Sequence, residues 1–155
     1  MAGSDAAPAE AALIAAGVPY RVVRHRPVRS LAEAAALRGL SPRDVVKTLV
    51  VRRGDDDFLF VLVPGDREIA WPKLRAHLGV NRLSMPDAET AFAATGYRRG
   101  TITPFGSRVA WPVIADAGLR GRTISLGAGE PGATVLLDAD AALAALGAHV
   151  AEIAG

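Results

Sequence analysis

Two runs, "VVKTLVVRR" (45–53) and "FLFVLV" (58–63), are separated only by "GDDD" (54–57), and this pair constrains the fold more than any other stretch. β-Branched, apolar and aromatic residues dominate both runs, and a link this short and polar closes a hairpin. A hairpin makes its strands antiparallel neighbours, because parallel neighbours need a crossover of about a dozen residues or more. Further strand-like segments are "YRVVRH" (20–25), "RVAWPVIAD" (108–116), "RTISL" (122–126) and "ATVLLD" (133–138). "NRLSM" (81–85) reads as a short strand and "AHVAEI" (148–153) as an edge strand.

Helical signals fall between these strands. "AEAALIAAG" is stopped by Gly17 and Pro19. Ser30 and Glu33 have capping-box spacing and open a second helix closed near Gly39. "SPRD" (41–44) gives one helical turn, Pro72 opens a helix ending at Gly79, and "PDAETAFAATG" has acids in its first turn and Gly96 at its end. Asp138 caps a last helix over 139–146. This interspersion lacks the regular β-α-β spacing of a doubly wound sheet. It predicts an α/β (α+β) single domain around a mixed β-sheet, with residues 1–8 a flexible lead-in and 9–155 the domain.

Composition narrows the chemistry. Half of the 155 residues are hydrophobic, enough for a real core. Cysteine is absent, which excludes disulfides, thiolate nucleophiles and cysteine-ligated zinc. The apolar runs are far shorter than a membrane span, and "MAGSDAAPAE" lacks the pattern of a secretory signal, so a soluble cytoplasmic protein is expected. A net charge of +2 does not by itself argue for nucleic acid. Only Lys47 and Lys73 among the 18 basic residues are lysines. The three histidines, His25, His77 and His149, have no metal-ligand spacing, and no G-x-S-x-G elbow exists. No metal or cofactor is expected.

Three stretches carry possible chemistry. Val45, Lys47, Leu49 and Val51 share one strand face at period 2. Lys47 is then either an edge lysine whose stem covers apolar surface, or a cation at the floor of a pocket. Thr48 faces the other way, as sheet packing. "GAGEPG" (127–132) matches G-x-G-x-x-G but contains Pro131 and is followed by a strand, so no helix N-terminus is available for a pyrophosphate. It reads as a wide turn between antiparallel strands. "GYRRGTITPFGS" (96–107) is the most elaborate connection: Gly100 and Gly106 permit unusual backbone, Pro104 stiffens it, and Arg98, Arg99, Thr101 and Thr103 supply donors. Such a loop either crosses the surface or turns its main-chain N–H groups into a concavity that holds an oxyanion. Arg98 and Arg99 are either candidate phosphate contacts or a solvated pair.

"VVKTLVV", "LVPGD", "TGYRRGTITPFGS" and "ISLGAGEPGATVLL" follow one another in an order and spacing that resembles the YbaK-type aminoacyl-tRNA deacylases, relatives of the editing domain of bacterial prolyl-tRNA synthetases. The resemblance covers roughly residues 20–153. It implies a mixed sheet curled toward a barrel and flanked by helices, and hydrolysis of the 3′ ester of a mischarged tRNA. It implies that Lys47 is the key pocket lysine, with the main chain of Gly100, Thr101 and Ile102 facing the ester. Thr48, Thr103, Pro104, Phe105, Gly106, Gly127, Gly129 and Thr134 become substrate-binding candidates, with Arg98 and Arg99 flanking them. The implied partners are the acceptor 3′ end of an aminoacyl-tRNA and, left open, a synthetase; no membrane and no DNA are expected.

Three positions depart from the family's patterns. Cysteine-removing members carry an acid where Thr134 stands, and an aromatic residue before a His-Asp-Pro stretch where this chain has "VVRHRP". Alanine-removing relatives tend to have Asn where Thr48 stands. These departures leave the amino acid removed open; the expected set is Ala, Cys, Ser and Thr, since excluding larger side chains is the cheapest sieve, with a tRNA for proline among the candidate carriers. The alternative is a non-catalytic module on the same fold that binds a tRNA 3′ end, a nucleotide or a partner protein.

Overall fold

The hairpin forms as expected in the computed structural model, which describes residues 7–155. Strand β2 (Lys47–Gly54) runs antiparallel to β3 (Asp57–Val63), with Lys47 opposite Val63 and Val51 opposite Leu59. Asp56 adopts a left-handed φ of 52° in the turn, a conformation Asp tolerates better than most side chains. β3 is buried from Phe58 to Val63 because both its faces are covered. Phe58, Phe60 and Leu62 enter the larger core cluster, while Leu59, Val61 and Val63 enter a second one with Ile69 and Leu74.

The strands divide between two sheets. One is mixed, in the order β2-β3-β4-β7, with β4 (Val113–Asp116) and β7 (His149–Ala151) parallel to their neighbours. The other is antiparallel, β1-β6-β5, built from β1 (Tyr20–Arg24), β5 (Thr123–Gly127) and β6 (Ala133–Asp138). Val45 and Ser125 bridge the two, and the Val46 amide donates to the Ser125 carbonyl at 3.1 Å. The expected mixed sheet is therefore divided between two bridged sheets that do not close into a barrel. The "GAGEPG" segment is, as read, the link between antiparallel β5 and β6.

Five helices cover these sheets among the described residues: α1 (Pro8–Ala16), α2 (Leu31–Arg38), α3 (Trp71–Leu78), α4 (Ala88–Thr95) and α5 (Ala139–Leu146). Pro8 already lies in α1, and residues 1–6 of the expected lead-in fall outside the described residues. Ser30 caps α2 by accepting from the Glu33 amide at 3.1 Å, while the Glu33 carboxylate reaches the Arg29 amide instead of closing the box on Ser30.

Two expectations shorten. "RVAWPVIAD" is a strand only from Val113, because Pro112 has no N–H to pair and Trp111 is tied by its indole to the Ala94 carbonyl. "NRLSM" makes only one bridge, Ser84 to Arg52. Asp44, 7% exposed, accepts from Arg122 Nε and Nη2 at 2.5 and 3.1 Å, locking the turn before β2 to the start of β5. Arg122 is thereby held more basic than an ordinary arginine, first by that hydrogen bond.

Candidate functional site

β2 is an edge strand, and a cavity of about 570 Å³ lies along its open side. Val46 to Val50 form one wall, Arg99, Gly100 and Ile102 another, with Gly127 at the end of β5 and Met85 to Ala88 along the remaining border. Lys47 and the loop that follows α4 thus share one hollow. The Lys47 amine donates to the Arg67 carbonyl at 2.7 Å and pairs with the Glu68 carboxylate. Glu68 is itself fixed by reciprocal main-chain bonds with Gly155, at 3.2 and 3.0 Å. Neither Arg67 nor Glu68 stood out in the sequence, since nothing marks residues just past the turn after β3 as partners of a lysine at the start of β2.

Thr48 corrects an expectation. Alternation points its side chain away from Lys47, yet it borders the same cavity, and its buried hydroxyl has no hydrogen-bond partner among the described residues. The hollow follows the strand's edge, so residues from both faces of β2 reach it.

The loop after α4 owes its shape to internal bonds. Tyr97, 5% exposed, donates its hydroxyl to the Phe105 carbonyl at 2.7 Å, and burial pushes its phenol up to about 12. Thr101 spends both its amide and its hydroxyl on the Arg98 carbonyl, at 3.0 and 2.7 Å, and its own carbonyl accepts from the Gly129 amide at 3.0 Å. The Thr101 main chain expected at the ester therefore has no donor left, whereas Gly100 and Ile102 line the cavity. Thr103, Pro104 and Phe105 are buried, with Thr103 accepting from the Phe105 amide at 3.3 Å. Gly106 presses so closely on α1 that a Cβ there would lie 2.3 Å from the Pro8 carbonyl oxygen. Residues 103–106 support the loop from behind and do not line the hollow.

The second wall is split in the same way. Gly127 lines the cavity, and a Cβ on it would meet the Thr101 and Ile102 carbonyl oxygens at 2.9 Å. Gly129 lies behind, against the Tyr97 ring. Thr134 is outside the lining: its hydroxyl accepts from Arg38 Nε at 3.1 Å, and Arg38 also reaches His25 Nε2 at 3.1 Å. Burial with no carboxylate beside it lowers the pKa of Arg38 from its ordinary value.

The two loop arginines also part. Arg98 stacks on Phe92, 3.8 Å from the ring centroid, and pairs with Glu89 at 3.3 Å. Arg99 borders the cavity with no partner among the described residues. Asp87, also at the border, caps α4 by accepting from the Thr90 amide at 2.8 Å, and hydrogen bonds from Thr90 hold its carboxyl below the usual range. Among the described residues no group of three or more His, Cys, Asp or Glu could hold a metal ion, and no helix is long and apolar enough to cross a membrane.

Known proteins are similar to this chain in sequence and in fold. The family described as aminoacyl-tRNA editing domain matches residues 25–144. The proline–tRNA ligase of Thermosipho africanus is 37% identical over 93 residues, covering 60% of this chain and 16% of that protein. That of Thermosipho melanesiensis is 36% identical over 102 residues, covering 64% and 18%. The chain thus spans less than a fifth of the length of these curated relatives. Among solved structures, a candidate trans-editing enzyme for prolyl tRNA synthetase superposes with a TM-score of 0.87 at 26% identity, covering 96% of this chain and 95% of that one. The hypothetical protein APE2540 gives 0.86 at 27% identity, covering 96% and 99%. With the matched family spanning both the β2 edge and the loop that faces it, this chain belongs to the aminoacyl-tRNA editing domain family.

Proposed function

We propose that the protein is a deacylase that acts in trans, hydrolysing the ester between a small, wrongly attached amino acid and the 3′ end of a tRNA. One observation carries this reading: Lys47, Gly100, Ile102 and Gly127 border a single cavity whose lining includes no His, Ser or Cys. An aminoacyl ester is activated already, so its hydrolysis needs a placed water and donors for the developing oxyanion more than it needs a nucleophilic side chain. Gly100 and Ile102 supply main-chain amides at the wall, and Lys47 supplies a cation for the ester carbonyl or the terminal phosphate. The neighbouring ribose hydroxyl or a group on the amino acid assists the water. Met85, Pro86 and Ala91 narrow the hollow, which favours Ala, Cys, Ser or Thr over larger residues. The identity with proline–tRNA ligases supports a tRNA for proline as the carrier.

The test is a deacylation panel of mischarged tRNAs with the intact chain and with Lys47→Ala. Release of one small amino acid is expected, with the variant slower by about 10²–10³, the usual cost of losing an oxyanion-stabilising donor. If the intact chain binds the tRNA and leaves every ester in place, the alternative of a binding module holds instead.

A further inference from the structure

The wall of the cavity formed by β2 is an unfilled stretch of hydrogen-bonding ladder. Arg52 donates its amide to the Ser84 carbonyl at 2.7 Å and accepts from the Ser84 amide at 3.0 Å, so its main-chain groups point away from β3. The Val46 amide, donating to Ser125 across the sheet seam, points the same way. On the far side of the hairpin the Phe60 amide turns to Pro112, which leaves Leu59, Val61 and Val63 to bond β2. In an antiparallel ladder such groups alternate residue by residue. Thr48 and Val50, between the two outward-paired residues, therefore aim their N–H and C=O groups into the cavity, and neither has a main-chain partner there among the described residues.

An occupant must fill these groups without being a full strand, because Ser125 and Ser84 already close the ladder at each end. A single aminoacyl group fits. Its α-ammonium and its carbonyl oxygen have the donor–acceptor order of one residue, the order in which Ser84 pairs with Arg52. Building on the deacylase reading above, we propose that the aminoacyl group docks at Thr48 as a one-residue β-bridge, its α-ammonium donating to the Thr48 carbonyl and its ester carbonyl accepting from the Thr48 amide. Recognition of the α-amino group is then a main-chain property that no side-chain substitution removes. The ester is polarised from the β2 side as well as from the loop side.

Non-hydrolysable analogues test this on the intact chain: adenosine carrying a 3′-alanylamino group, and the same compound with the α-amino group replaced by hydroxyl. Losing a hydrogen bond to a charged group weakens binding by about ten- to a hundredfold, and calorimetry should read that ratio. Thr48→Val keeps the main chain and should keep the ratio. The alanyl compound should also shift the Thr48 amide resonance. Equal affinities for the two analogues, loss of the ratio in Thr48→Val, or no binding of either overturns the docking. Whether mischarged tRNA is hydrolysed is read separately, in the deacylation panel.

Discussion

Gly129→Ala is expected to damage the protein well beyond the usual effect of a surface-turn substitution, for a reason that can be itemised. Gly129 has a φ of 83°, in the left-handed region, where an L side chain costs about 1–2 kcal/mol. An added Cβ would lie 2.6 Å from Tyr97 Cε1 and 3.1 Å from Cδ1. That ring cannot swing aside cheaply, since it is 5% exposed and its hydroxyl is tied to the Phe105 carbonyl at 2.7 Å. Overpacking of this kind adds about 1–3 kcal/mol, for a total of about 2–5 kcal/mol. In a chain of this length that lowers Tm by about 5–15 °C. Gly100→Ala is the internal control: its φ is 88°, but nothing lies within 4 Å of its added Cβ, so it should lose only the backbone part, about 1–2 kcal/mol. Urea unfolding of both variants gives the difference. A Gly129→Ala variant no less stable than Gly100→Ala would refute the claim that the two glycine-bearing loops are locked through Tyr97. Because Gly129 also donates to Thr101, deacylation by Gly129→Ala should fall along with stability.

Other consequences are simpler to state. Tyr97 keeps its proton up to about 12 in the fold but releases it near 10.0 when unfolded, so the unfolded chain binds fewer protons between those values. Stability should therefore fall as pH rises from about 10 to about 12, and Tyr97→Phe should flatten that slope in pH-dependent urea titrations. Asp44→Asn leaves Arg122 without its carboxylate and should lower the midpoint of urea unfolding, by less than for a fully enclosed pair because the Arg122 side chain is 35% exposed. Arg99→Ala should raise the KM for tRNA with little change in kcat. Arg98→Ala should do less, because that guanidinium is already engaged by Phe92 and Glu89.

The sequence made some of this legible for identifiable reasons. Strand pairs joined by short links, β2 with β3 and β5 with β6, could be read because the turn residues and the strands they join are adjacent in the chain. Helix limits at Gly17, Gly39, Gly79, Gly96 and Gly147 could be read because each glycine supplies the left-handed cap. That β2 is an edge was one of two readings of Lys47, and the sequence could not decide between them: an edge depends on what does not pair with it, and the residues that close its ends, Ser84 and Ser125, are distant in sequence. Alternation alone read Thr48 as sheet packing for the same reason, since it separates two faces and says nothing about an edge; only the family resemblance made Thr48 a substrate-binding candidate. In the loop, Thr101 and Thr103 carry hydroxyls that a substrate site could use, and only the fold reveals that Thr101 donates its own to the Arg98 carbonyl and Thr103 accepts from the Phe105 amide.

An unpaired strand edge is ordinarily a hazard, because it invites another strand. Here the gap is bounded at Val46 and Arg52, and filling it with a foreign strand would require Ser125 and Ser84 to be displaced. This makes a sharp expectation for amide hydrogen exchange in the free protein. Leu49 and Val51 bond β3 in the centre of the hairpin and should exchange only through global or subglobal opening. Thr48 and Val50, one residue away on either side of Leu49, face the cavity and should exchange orders of magnitude faster despite lying in the same strand. Saturating with the alanylamino analogue should slow Thr48 and leave Leu49 unchanged. If Thr48 and Val50 are as protected as Leu49 and Val51 without any ligand, something covers that edge in solution, and the wall on which the aminoacyl group is placed does not exist.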